Sequence, residues 1–403
     1  MAKILLVVFA DSGQLNPALA VAQHLERADH EVAIYSFQED VSQRCARAGL
    51  RAQCFSSGVV ALSAAKQEPQ RSLKFAGRLR QRGWVARWMR AVLVDQVPAQ
   101  IEELRRVVRA IQPDLIAVNA MAYAGAIVAE LEQIPWASLA TGLQSLPPRD
   151  GTPSPYTDIA PLRHEMVASL GAKLSFRESD LVSPWLNVSF MLRELMPPDA
   201  PTDTVYVGPA LPLGARGDER PFPFERIPAD RPLVYVAFGS LVSHPPAIYE
   251  AIIAALSNQE ACFVVAMKDL IGETFTRAFP DHVIAAEWVP QLELLPRASL
   301  MVNHGGANSV LEAISSGVPI VVIPVTQEQV LMGTLVEEAR VGVMVQPADV
   351  STERCRELFT RLLADDAPER GNVSRMRQLD RGGGAQASAL LARLAAQYPR
   401  SAR

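Results

Sequence analysis

The residues best suited to chemistry lie between 288 and 329. They run Trp288-Val289-Pro290-Gln291, then Asn303-His304-Gly305-Gly306-Ala307-Asn308-Ser309, Glu312, Gly317-Val318-Pro319 and Glu328-Gln329. The apolar run Leu300 to Val302 predicts a strand whose C-terminal end meets a glycine-rich turn, with a helix from about Asn308. Glycines let a ligand approach the backbone closely, and the unpaired N–H groups of a helix start receive an anion. His304 adds a donor beside that turn, and Asn308 and Ser309 add side-chain donors. Glu312, one turn into the helix, suits a ribose diol, and Trp288 at a strand end can stack on a planar base. In this order the parts suit a nucleoside diphosphate at the C-terminal edge of a parallel sheet. Each alone has a plainer reading: a structural Gly-Gly turn, a core tryptophan, a structural histidine.

The elements that must position these residues follow one grammar, used twice. Ile4 to Phe9 is a continuous apolar run, Asp11 to Gln14 is turn-prone, and Asn16-Pro17 predicts an N-cap and a proline at the first helical position. Leu15, Leu19, Ala22 and Leu25 recur at helical spacing, and Glu31 to Ser36 alternates like a second strand. Strand, helix, strand is the unit of a doubly wound sheet. It restarts at Leu233 to Phe238, closed by Gly239-Ser240, with further strands expected at His282–Trp288, Leu300–Val302, Val318–Ile323 and Val341–Val345. The expected organisation is an α/β chain of two Rossmann-like, doubly wound parallel-sheet domains, 1–213 and 232–403. Residues 214–231, rich in Gly, Pro and charge, form the linker. Arg381-Gly382-Gly383-Gly384 into Tyr398 reads as a turn and a final helix.

Composition removes other classes. At about 150 residues per domain, 403 residues suggest two or three domains. Lys+Arg 39 against Asp+Glu 43 leaves a net charge of -4, which argues against an electrostatic nucleic-acid binder. Cys45, Cys54, Cys262 and Cys355 form no Cys-x-x-Cys pair, so neither a disulfide scaffold nor a cysteine zinc site is expected, as suits a reducing cytoplasm. Met1 to Ala10 is too short for a signal peptide, and no stretch nears the roughly 18 apolar residues of a membrane span. A cytoplasmic protein is expected. Arg71 to Arg90 sets many cations beside Trp84, Trp88 and Met89. It reads either as a solvated helix or as a surface for peripheral membrane or acceptor contact. Oligomeric state leaves no sign in the sequence.

The Trp288–Gln329 motif, the opening strand–loop–Asn-Pro–helix and Pro113-Asp114-Leu115 together resemble the family 1 glycosyltransferases, a group that includes plant, bacterial macrolide and carotenoid enzymes. The resemblance implies a GT-B fold, two Rossmann-like domains facing a central cleft, with the nucleotide sugar held by the C-terminal one. It implies that Trp288 stacks on the base, with Gln291 near the nucleoside. His304, Asn308, Ser309 and Ser240 hold the diphosphate beside Gly306, Glu312 takes the ribose, and Glu328 and Gln329 hold sugar hydroxyls. The implied activity is inverting hexosyl transfer from a UDP- or dTDP-sugar, a co-substrate rather than a cofactor. No Asp-x-Asp occurs, so metal-independent transfer is expected. Two residues depart from the family pattern: Glu328 stands where aspartate is usual, and Asn303 where threonine is common.

The acceptor half departs further. The family's Gly-His appears as Gly13-Gln14, and the aspartate that orients the histidine is replaced by Asn119. Neither amide takes a proton near neutral pH. Three accounts stand. The acceptor is already anionic or strongly nucleophilic, such as a carboxylate, an acidic phenol or an amine; or Asp11 acts as base; or the chain is a non-catalytic relative that binds a nucleotide sugar or natural product. A nucleotide-sugar epimerase is a further alternative on this fold. A small lipophilic natural-product acceptor is expected from the Trp, Phe and Met in Ala61–Arg90, Thr141–Leu146 and Trp185–Leu195, a composition that core packing explains equally well.

Overall fold

The structure, a computed structural model, describes residues 1–37, 41–57, 82–149, 153–154, 156–239, 244–257, 260–267 and 279–398. Its first sheet contains β1 (Lys3–Val8), β2 (Glu31–Ser36), β3 (Gln53–Ser56), β4 (Leu115–Asn119) and β5 (Trp136–Ala140). A separate antiparallel hairpin, β6 (Ser175–Arg177) and β7 (Asp180–Val182), precedes β8 (Leu186–Ser189) and β9 (Val205–Tyr206), which complete that sheet. The order is β3-β2-β1-β4-β5-β8-β9, with every neighbour parallel. A second parallel sheet holds β10 (Leu233–Ala237), β11 (Cys262–Ala266), β12 (Val283–Ala286), β13 (Leu300–Asn303), β14 (Ile320–Val322) and β15 (Gly342–Met344), in the order β12-β11-β10-β13-β14-β15.

Continuous apolar strands form because both faces are covered. Ile4, Leu6 and Val8 face one cluster with Leu15, Leu19 and Ala22, while Leu5 and Val7 face another with Ile116 and Val118. In each sheet the strand order reverses between the first strand and the fourth, which opens a crevice at their C-terminal ends. Register levels the paired ends, Val7 against Val118 and Ala237 against Asn303. The segments leaving β1, β4, β10 and β13 therefore carry Gln14, Asn119, Gly239 and His304 to the crevices.

The first helix begins earlier than the sequence suggests. It spans Ser12–Arg27 (α1), with Asp11 at the N-cap and Pro17 inside. Pro17 has no N–H, so it cannot bond the Gly13 carbonyl four residues back. That carbonyl instead accepts a hydrogen bond from Asn308 Nδ2 at 3.0 Å. The glycine-rich turn after β13 leads, as expected, into Ala307–Ser316 (α2), one residue before Asn308, and Gln327–Glu338 (α3) follows β14. The final helix, Gly383–Gln397 (α4), returns to the first half, where Ala387, Leu391 and Leu394 pack in one cluster with Leu15 and Leu19 of α1.

The expected Trp185–Leu195 acceptor segment lies elsewhere. Trp185 is 42% exposed and meets Tyr398 edge-on, while Phe190 and Met191 are buried in two separate cores. Near-helical spacing there reflects β8 and the chain leaving it, whose side chains alternate into the two faces of the sheet. Of Arg71–Arg90, residues 82–90 form a helix and 71–81 lie outside the described residues. Among the described residues no helix is long and apolar enough to cross a membrane.

Candidate active site

A single cleft is lined from both halves of the chain. From the first half come Ser12, Gly13, Gln14, Asn16, Thr141 and Gln144; from the second come Trp288, Gln291, His304, Gly306, Asn308, Ser309, Glu312 and Glu328. Arg216 and Asp218 reach it from the segment between the sheets.

On the second side the turn after β13 is built around Asn303 and His304. Asn303 is fully buried, and its Oδ1 accepts from the Gly305 N–H at 2.7 Å, which pins the tight turn. Gly305 takes φ +85°, a conformation open to glycine. The His304 ring lies against two glycines: a Cβ at Gly239 or at Gly306 would stand 2.6 Å from it. Gly306 caps α2, so the first N–H groups of that helix open into the cleft beside the ring. Trp288 lines the cleft with Arg220 over its ring at 5.4 Å.

Glu312 is held from two sides. Arg216 Nη1 donates to Oε1 at 3.0 Å, and Gln291 Nε2 donates to Oε2 at 2.6 Å. Gln291 in turn accepts from the Tyr235 hydroxyl at 3.2 Å. Arg216 also bonds Asp218 at 2.9 Å, and Asp218 pairs with Arg44 at 2.9 Å. Arg44 donates to Asn16 Oδ1 at 2.6 Å. One polar chain thus runs from the Glu312 carboxylate to the first turns of α1.

On the first side the two amides meet. Asn119 Oδ1 accepts from the Met121 N–H at 3.1 Å, so its Nδ2 faces Gln14 and donates to Gln14 Oε1. Thr141 Oγ1 donates to the same oxygen. With that oxygen engaged twice, the group Gln14 has left is its amide N–H2 donor. Asp11 sits just outside the lining. Burial pushes its carboxyl up to about 6, partly offset by the Gln14 and Gly13 amides. Glu328 lies at the start of α3 and accepts from the Leu143 N–H at 3.2 Å, and burial raises its carboxyl. Gly142 permits that approach, since a Cβ there would lie 2.6 Å from Glu328 Oε1.

Known proteins show the same arrangement of chain. The model for the C-terminal domain of erythromycin biosynthesis protein CIII-like proteins matches residues 250–381. Demethyllactenocin mycarosyltransferase of Streptomyces fradiae is 25% identical across 95% of this chain and 84% of its own length. The calicheamicin glycosyltransferase CalG4 shares the fold with a TM-score of 0.74 at 20% identity, over 99% of both chains. The chain is a glycosyltransferase with the GT-B fold. The glycosyltransferase VinC, solved in complex with dTDP, has a TM-score of 0.68 at 20% identity, over 98% of this chain and 100% of its own.

In this glycosyltransferase most residues singled out from the sequence share the cleft, but not all. Asn119 stands behind Gln14, and Asp11 behind the first turn of α1. Gln329 turns away: its Oε1 accepts from the Val325 and Thr326 N–H groups at 2.7 and 3.2 Å, and Thr326 answers as the other half of a capping box. Ser240 lies outside the described residues. Thr141 and Gln144 come from the expected Thr141–Leu146 segment, whereas sequence reasoning missed Arg216 and Asp218. Arg216 and Asp218 had one signal, two opposite charges in a glycine-rich linker without periodicity.

Proposed function

We propose that this glycosyltransferase moves a sugar from a dTDP- or UDP-sugar onto a small lipophilic natural product, with inversion and without a metal ion. The observation that supports it best is the meeting of Trp288, Glu312, His304 and the start of α2 in one cleft with Gln14 opposite. The names of its relatives point the same way, one a mycarosyltransferase and one solved with dTDP. Residues 1–213 then serve the acceptor and 232–403 the nucleotide, joined by 214–231.

In this reading the base lies on Trp288, the ribose meets Glu312, and the diphosphate faces Asn308, Ser309, His304 and the first N–H groups of α2. As the bond from the sugar to the diphosphate breaks, negative charge grows beside those oriented donors, which lower its energy. Glu328 meets the sugar, and Gln329 supports it only by capping α3. The acceptor oxygen enters from the opposite face, placed by the Gln14 N–H2 donor. No imidazole takes its proton, a loss worth about 10²–10⁴-fold on an ordinary alcohol. Asp11, near 6, has a suitable proton affinity but stands outside the lining. Burial raises the carboxyls of both Glu328 and the neighbouring Asp180, the latter to about 8, so Asp180 holds its proton near neutral pH and repels no anion. An acceptor that needs no base, such as a carboxylate, an acidic phenol or an amine, suits the missing imidazole.

The test is a melting experiment with dTDP- and UDP-sugars, with and without chelator, followed by turnover on lipophilic carboxylic acids, phenols, amines and alcohols. A ligand at a hundred times its dissociation constant adds about 2.7 kcal/mol. A chelator-resistant shift with transfer supports the reading. Tight binding without transfer to any acceptor would leave a non-catalytic relative, and no shift would overturn the nucleotide site itself.

A further inference from the structure

The segment between the two sheets is strapped to the first half of the chain where it passes the cleft. The Leu213 N–H donates to Gln23 Oε1 at 2.9 Å, and Gln23 Nε2 donates to the Ala215 carbonyl at 2.8 Å, which lays the segment along α1. The Arg216 carbonyl accepts from Arg44 Nε at 3.2 Å, on the short helix Ser42–Arg47. Gly217, at φ +84°, permits this close approach, because a Cβ there would run into the Arg44 carbonyl.

From that anchored backbone the Arg216 side chain points the other way. It is buried, lines the cleft and donates from Nη1 to Glu312 Oε1 at 3.0 Å. Its Nε donates to Asp218 Oδ1 at 2.9 Å, and Asp218 is held in turn by Arg44 at 2.9 Å. The guanidinium is therefore aimed by groups that belong to the first half, while the carboxylate it meets belongs to the second. Glu312 is buried too, and among the described residues Arg216 is the only cation paired with it. A buried carboxylate needs its charge answered in place. With Arg216 on Oε1 and Gln291 on Oε2, each oxygen still has a lone pair for a hydroxyl donor.

We infer that Arg216 is a positioning residue for the ribose carboxylate, and that Arg44, which does not line the cleft, serves the same contact through Asp218. The inference rests on the assignment of Glu312 to the ribose in the reading above. The nucleotide site of 232–403 is then completed by a side chain from 214–231 that the first half holds in place. Without the guanidinium the carboxylate is free to turn about its own side-chain bonds. The cost falls on the ribose hydroxyls and spares the base and the diphosphate.

The experiment measures that selectivity by titration calorimetry on the whole protein. It compares dTDP with dideoxythymidine diphosphate, which lacks the ribose hydroxyl, and UDP with dideoxyuridine diphosphate. A hydroxyl bonded to an ionised carboxylate should favour the hydroxylated nucleotide about tenfold in at least one series. Arg216→Met should lose that preference, and Arg44→Gln should reduce it. Both variants should keep the wild-type affinity for the dideoxy nucleotide, which also reports that they are folded. Should Arg216→Met fail to fold, Arg44→Gln decides alone. A full preference in either variant overturns the inference, as does equal weakening of both nucleotides, the mark of a merely structural role. A preference absent from the wild-type protein, or one that survives Glu312→Ala, would instead remove Glu312 from the ribose and the inference with it. Failure of every nucleotide to bind would remove the nucleotide site itself.

Discussion

Arg216 and Glu312, 96 residues apart in the chain, meet as a buried ion pair with 3.0 Å between Nη1 and Oε1. The pair ties the segment between the two sheets to the carboxylate assigned to the ribose, and through Asp218 and Arg44 it reaches the first half. Removing one member leaves a charge buried with too few partners, whereas removing both does not. Arg216→Met should therefore lose about 3 kcal/mol of stability, and Arg216→Met with Glu312→Leu clearly less. Urea unfolding of the three proteins checks this; a double variant that loses more than Arg216→Met alone would mean that the pair is not coupled.

Pro17 and Asn308 act on one carbonyl from opposite sides of the cleft. Because Pro17 lacks an N–H, the Gly13 oxygen is open to Asn308 Nδ2 at 3.0 Å. Pro17→Ala supplies a competing donor from within α1. Asn308→Ala should then cost less in the Pro17→Ala background than in the wild-type protein, with a coupling of about 0.5–1.5 kcal/mol in a double-mutant cycle. Strict additivity would separate the two residues.

The His304 ring requires bare glycine beside it. Gly306 has φ −66°, a conformation open to any residue, so Gly306→Ala acts only through the 2.6 Å clash of its Cβ with the ring. A displaced ring should weaken dTDP binding about tenfold or more. In a His304→Ala background the same change should have little further effect. Titration calorimetry on the single and double variants would reveal additive losses if the glycine served another purpose.

The amides Gln14 and Asn119 stand in contact, as a base and its orienting acid would. Gln14→His with Asn119→Asp should raise transfer to neutral alcohols, by up to about 10²–10⁴-fold, because general-base help is the missing contribution. The single change Gln14→His should gain less, since its ring lacks the orienting carboxylate. Initial rates on one alcohol decide; no gain from the pair would show that the acceptor oxygen sits elsewhere.

Burial, with the Glu328 charge acting in the same direction and Arg177 against it, pushes the Asp180 carboxyl up to about 8. A folded-state value above the unfolded one means that the folded protein holds the proton more tightly. Its contribution is full below about pH 4 and is lost as pH rises through about 8. Asp180→Asn should therefore flatten the fall in melting temperature between pH 5 and pH 9, gaining on the wild-type protein at the alkaline end. Parallel pH profiles would show that Asp180 is ionised without penalty.

Continuous apolar runs and helical spacing were enough to place β1, β2, β10 and β13 within a residue or so, because a strand buried on both faces admits little else. The start of α1 was misjudged for a physical reason. Asn16-Pro17 is a good local helix start, but the Gly13 carbonyl found a donor across the cleft, so the helix could begin at Ser12 and carry the proline inside. Gln329 looked like a ligand by its place in the motif and is a cap by its bonds to Val325 and Thr326. Its type and spacing fit both roles, and only the rotamer separates them.

What the sequence by itself determined was the doubly wound plan and the glycine-rich turn with His304 and Glu312 at a helix start, since these depend on neighbours within a few residues. Tertiary structure alone decided that Arg216 closes on Glu312, that Asn119 turns its amide N–H2 to Gln14, and that Asp180 is buried. Each joins or isolates groups distant in the chain, and no local propensity encodes such a meeting. It arises when two sheets, each folded by its own hydrophobic pattern, bring their strand ends to one cleft.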